Sequence, residues 1–87
     1  METTKTTKTA GELLDQMWDK ITEYVKRINP KGARLTSFQS WLFWELPTNW
    51  QKASNVFFGL VIIRLKQEGL VKFTSDKRGI KFMIPVR

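Results

Sequence analysis

Arg64-Leu65-Lys66-Gln67-Glu68-Gly69-Leu70-Val71, followed by Asp76-Lys77-Arg78-Gly79, is where the pattern of the chain changes. Up to Glu68 the apolar residues recur at helical spacing, and after Gly69 the period becomes two. Gly69 suits the left-handed position that closes a helix. Val71 and Phe73 then face inward, while Lys72 and Thr74 face out. Ile80, Phe82 and Ile84 alternate with Lys81 and Met83, which makes the first three the expected inward set. Between the two runs, Ser75-Asp76-Lys77-Arg78-Gly79 reads as a turn in which Gly79 supplies a positive φ angle. A two-stranded hairpin is the expected end of the chain.

Upstream of this junction the spacing predicts three helices. The third starts between Thr48 and Ser54 and runs to Glu68, with Phe58, Val61, Ile62 and Leu65 as its core face. The second follows Thr36-Ser37-Phe38-Gln39, which has the spacing of a capping box, and continues through Trp41 and Leu42 until Pro47. The first opens on a second capping box, Thr9-Ala10-Gly11-Glu12. Its buried face is Leu14, Met17, Trp18, Ile21, Tyr24, Val25 and Ile28, and Asn29-Pro30-Lys31-Gly32 stops it. Ala33-Arg34-Leu35 is a short extended piece between the first two helices. Residues 1–8 alternate Thr and Lys and read as a flexible arm, leaving 9–87 as one domain.

Composition narrows the chemistry. The chain has 87 residues, enough for one domain with a small core. Hydrophobic residues make up 41% and aromatics 13%, too much for a disordered chain. It has no Cys and no His, so disulfides, thiolate nucleophiles, Cys zinc sites and every His-dependent hydrolase mechanism are excluded. A Ser/Lys or carboxylate mechanism needs clustered groups, and no cluster is visible. An enzyme is not expected, nor a metal, a cofactor or a small-molecule ligand. The longest apolar run, Val56 to Ile63, has eight residues where a membrane helix needs about 20. METTKTTKTA has no apolar stretch for export, so the expected location is intracellular.

Helix, short strand, helix, helix, hairpin is the element order of the winged helix-turn-helix domain. Arg64 to Val71 resembles the junction "L-x-x-x-G-L-V" through which many winged-helix regulators pass from the recognition helix to the wing. The resemblance spans about residues 10 to 86 and implies an α+β fold of three helices with a C-terminal two-stranded β-hairpin wing. It also implies binding of double-stranded DNA, as in a transcriptional regulator or an accessory factor in DNA transactions. By position, it implies groove contacts from Thr48, Asn49, Gln51, Lys52 and Asn55. Backbone contacts fall to Arg34, Ser37 and Ser40, and wing contacts to Lys77, Arg78, Lys81 and Lys72.

Charge supports nucleic acid independently. The chain carries a net +7, and the balance is uneven along it. Residues 1–19 hold two basic groups against four acids, whereas residues 20–87 hold 13 against four. Such a gradient suits a phosphate backbone, although it also suits a merely solvated basic surface.

The third helix departs from a base-reading helix. With Phe58, Val61, Ile62 and Leu65 inward, the opposite face holds Val56, Leu60, Ile63 and Gln67, and aliphatic side chains read no base code. Either that face packs on a second copy, or the Trp44–Trp50 region covers it, or it docks on another protein. Trp41, Phe43, Trp44 and Trp50 pose a related question, because a helix of about nine residues cannot bury them all. They cover the small core, form a protein interface, or stack on single-stranded bases. The alternative expectation is therefore a winged-helix protein-interaction module, an adaptor or inhibitor, using Trp44, Trp50, Val56, Leu60, Ile63 and Gln67.

Overall fold

In a computed structural model of the chain, which describes residues 9–86, Thr9 closes the first turn of α1 (Ala10–Arg27). Its Oγ1 accepts from the Glu12 backbone N–H at 3.2 Å, and its own N–H donates to Glu12 Oε1 at 3.0 Å. Two orphan donors of the helix start are thereby satisfied. Leu13, Leu14, Met17, Ile21 and Val25 form the buried stripe of this helix. After it, Asn29 accepts from Gly32 N–H through its carbonyl and from Lys31 N–H through its side chain, which turns the chain into β1 (Ala33–Arg34).

Strand β1 runs directly into α2 (Leu35–Glu45). The expected Thr36 capping box does not form. Arg34 is the N-cap residue, with no side-chain cap bond. The reason is tertiary: Arg34 is held by strand pairing with Phe82, and Leu35 packs on the core, so the helix begins before Thr36 can serve as its cap. Phe38 and Leu42 are buried, and Leu46, just past the helix, is buried with them. A 3₁₀ turn at Thr48–Ala53 leads into α3 (Ser54–Gln67).

Helix α3 buries Phe57, Val61 and Leu65, with Phe58 and Ile62 partly buried beside them. Its core face is thus rotated by about one residue from the expected Phe58–Val61–Ile62–Leu65 set. The cause is that α3 packs against α1 as well as against α2 and the sheet, so its inward arc is wider than one stripe. At its end Leu70 N–H donates to Leu65 O and Gly69 N–H donates to Lys66 O, the two bonds of a Schellman motif, with Gly69 at φ 69°.

Strands β2 (Val71–Ser75) and β3 (Lys81–Pro85) follow. The sheet has three antiparallel strands in the order β1-β3-β2, rather than two. Phe73 is paired with Met83 and Val71 with Pro85, so these four share the inner face. Met83 is fully buried, and Phe82 and Ile84 therefore stand on the outer face, the reverse of the expected alternation. Sheet pairing decides this: once Val71 and Phe73 face the core, their directly opposite partners must as well. The described residues form an α+β fold, with three α-helices and one three-stranded antiparallel sheet around one core. The expected arm, residues 1–8, lies outside the described residues.

Candidate nucleic-acid interface

The turn joining β2 to β3 is built around one carboxylate. Asp76 Oδ1 accepts from the backbone N–H of Arg78 at 2.9 Å and of Ile80 at 3.0 Å. Gly79 N–H donates to the Asp76 carbonyl at 3.0 Å, and Gly79 has φ 83°. With its polar groups satisfied, the turn holds Lys77 and Arg78 at the exposed tip of the hairpin. Behind the tip the cations divide between the faces of the sheet. Arg34 and Lys72 belong to the outer face by their pairing with Phe82 and Ile84. Lys81 belongs to the inner side and lines a groove with Lys66, Leu35, Ile62 and Phe73. The Lys66 ammonium lies 5.8 Å from the Phe73 ring centroid.

Arg34, Lys52, Lys66, Lys72, Lys77, Arg78 and Lys81 enter no ion pair among the described residues. The acids are engaged elsewhere: Glu45 receives Lys20 at 3.4 Å, Glu23 receives Arg27 at 3.6 Å, and Arg64 bridges Asp15 at 2.7 Å and Glu68 at 3.0 Å. Donating hydrogen bonds to Glu68 and then to Asp15 raises the pKa of the Arg64 guanidinium, which also lies 4.2 Å from the Trp18 ring centroid. Arg64 thus ties α3 to α1 and is not free for a ligand. Among the described residues, six of these seven unpaired cations lie on the hairpin or around it, and Lys52 lies on the 3₁₀ turn.

The expected groove residues have mixed fates. Thr48, Asn49 and Lys52 are exposed on the 3₁₀ turn. Gln51 is partly buried and turns inward, donating through Nε2 to the Phe43 carbonyl at 3.4 Å. Asn55, at the start of α3, accepts from Gln39 Nε2 at 3.0 Å, which joins α2 to α3. Ser37 and Ser40 stand on the exposed side of α2.

The expected protein-interface set also divides. Trp44 is 73% exposed, Val56 68% and Ile63 53%, with Gln67 exposed beside them on α3. Trp50 instead packs on the core, its ring 6.1 Å from Phe57, and Leu60 is likewise half-buried against the core. Trp41 stacks on Tyr24 at 4.5 Å. The rotation of α3 explains Leu60: it moves from the far side of the helix to the edge of the buried arc. Lys66 in the groove was not among the expected site residues, and Phe82 was expected inward but stands on the outer face. The pairing rule that directly opposite residues share a face would have found Phe82 from the register alone.

Among the described residues no group of three or more acidic, His or Cys side chains is gathered that could hold a metal ion, and no helix is long and apolar enough to cross a membrane. No protein-family model matches the chain, and neither a curated protein nor a solved structure matches it.

Proposed function

We propose that the chain is a winged-helix protein that binds double-stranded DNA without catalysis inside the cell, as a transcriptional regulator or an accessory factor in DNA transactions. The observation that carries this reading is the set of cations without acid partners on and around the hairpin: Arg34, Lys66, Lys72, Lys77, Arg78 and Lys81. The element order supports the winged-helix reading, as does the pairing of β1 with β3, which ties the hairpin to the start of α2. In this arrangement the hairpin tip follows the phosphate backbone while Asn49, Lys52 and Asn55 approach the major groove. Val56 and Ile63 offer no hydrogen bonds to base edges. Affinity therefore comes mainly from phosphate contacts, with weak preference for sequence.

A second reading has its own observation. Val56 and Ile63 on α3 are more than half exposed, as is Trp44 at the end of α2. Large apolar groups in water favour a protein partner, either a second copy or another protein. An NMR footprint separates the two. Adding a 20-base-pair duplex to isotope-labelled protein is expected to shift the amides of Arg34, Lys72 and Lys77–Lys81 most. Shifts confined to Trp44 and the Val56–Ile63 stretch, or none at all, would contradict the DNA reading.

A further inference from the structure

The outer face of the sheet carries an aromatic ring that the core does not use. Phe82 is opposite Arg34 of β1 and Thr74 of β2, so the three form one row across all three strands. Lys72 and Ile84 form the next row. Helices α2 and α3 pack on the sheet, and the core they share with it is lined by the inner-face residues Val71 and Met83; Phe82 and Ile84 are not part of that core. The turn before β1 comes down over Ile84: a Cβ on Gly32 would lie 3.0 Å from Ile84 Cγ1. Phe82 is half-buried, and the part it exposes is the aromatic surface of this face, with Arg34 directly beside it and Lys72 on the diagonal. Arg34 and Lys72 stand on the two flanking strands in adjacent rows, about 12 Å apart on the diagonal by strand spacing and rise. No acidic residue occurs in β1, β2 or β3.

We propose that this face holds an unpaired nucleic-acid strand, with one base stacked on Phe82 and the flanking phosphates on Arg34 and Lys72. An aromatic ring on a sheet face offers a π-face, which any unpaired base can cover and a paired, stacked base cannot. The cations on either side match the charge of the strand, and Thr74 completes the row with a hydroxyl. The inference rests on the nucleic-acid reading above and extends it to a substrate: a duplex with a single-stranded tail, whose paired part lies along the hairpin tip and whose tail crosses the sheet.

The test measures fluorescence anisotropy with a blunt 20-base-pair duplex, the same duplex carrying a tail of about eight thymidines, and free oligothymidine and oligouridine. Phe82→Leu keeps apolar bulk but removes the ring, and Phe82→Tyr keeps the ring. Circular dichroism and melting of both variants verify the fold. Phe82→Leu is expected to weaken oligothymidine or oligouridine and the tailed duplex about tenfold while leaving the blunt duplex unchanged, and Phe82→Tyr to restore binding. Photo-crosslinking of a 5-iodouracil tail is expected to map to the β3 peptide containing Phe82. If the blunt duplex binds but neither single strand nor tail depends on Phe82, this inference fails and the duplex reading stands. Equal weakening of blunt and tailed duplexes by Phe82→Leu overturns it too. If no nucleic acid binds, both fail together.

Discussion

Gly32 has a backbone φ of 104°, and an added Cβ would lie 3.0 Å from both the Met83 carbonyl oxygen and Ile84 Cγ1. Gly69 has φ 69° at the end of α3, with nothing near its Cβ direction. Both positions need positive φ, but only Gly32 is also crowded by backbone, where the turn before β1 crosses β3. Gly69→Ala should therefore cost about 1 kcal/mol, the strain of the left-handed region alone. Gly32→Ala should cost roughly 2–3 kcal/mol, because the turn must also move off the sheet. Urea unfolding of the two variants measures the difference. Equal costs would show that the contact of the turn with β3 is loose.

At the scale of elements, α3 is the helix on which the two readings of function diverge. Its buried arc is Phe57, Val61 and Leu65, with Leu60 at the edge and Ile63 outside. Ile63→Glu should leave stability within about 0.5 kcal/mol, since the side chain is in water already. Leu60→Glu should cost about 1–2 kcal/mol, because it places a charge at the margin of the core. Thermal melts of both variants distinguish this placement from one in which both lie on the same exposed stripe. The extent of what the sequence reveals follows the same line. The Thr9 cap, the Gly69 stop and the hairpin turn at Asp76–Gly79 are set by local chemistry and are legible without tertiary contacts. The start of α2, the rotation of α3 and the facing of β3 are not, because each is decided by a partner distant in the chain. Arg34 is held by Phe82, α3 by α1, and Met83 by Phe73. For the site, Lys77 and Arg78 were legible as the tip of a turn. The inward turn of Gln51 toward the Phe43 carbonyl was not, since nothing local distinguishes it from Asn49 or Lys52.

Across the whole molecule, charge is sorted by pairing. Acids of α1 and the helix ends pair with Lys20, Arg27 and Arg64, while the cations of the sheet and hairpin enter no ion pair among the described residues. Asp76 is the one acid in the hairpin, and its carboxylate is spent on two backbone N–H groups. With a net +7 on 87 residues, and with Arg34, Lys66, Lys72, Lys77, Arg78 and Lys81 in no ion pair among the described residues, the proposed binding to a polyanion should depend strongly on salt. The proposed role of this hairpin is to grip DNA phosphates. It is tested most directly by the salt dependence of duplex affinity, measured by anisotropy for the wild-type chain and for Lys77→Ala with Arg78→Ala. The wild type is expected to bind a random 20-base-pair duplex with a slope of log affinity against log salt corresponding to several phosphates, and the double variant to lower that slope by about two. A wild type that does not bind at low salt, or a double variant with an unchanged slope, would contradict it.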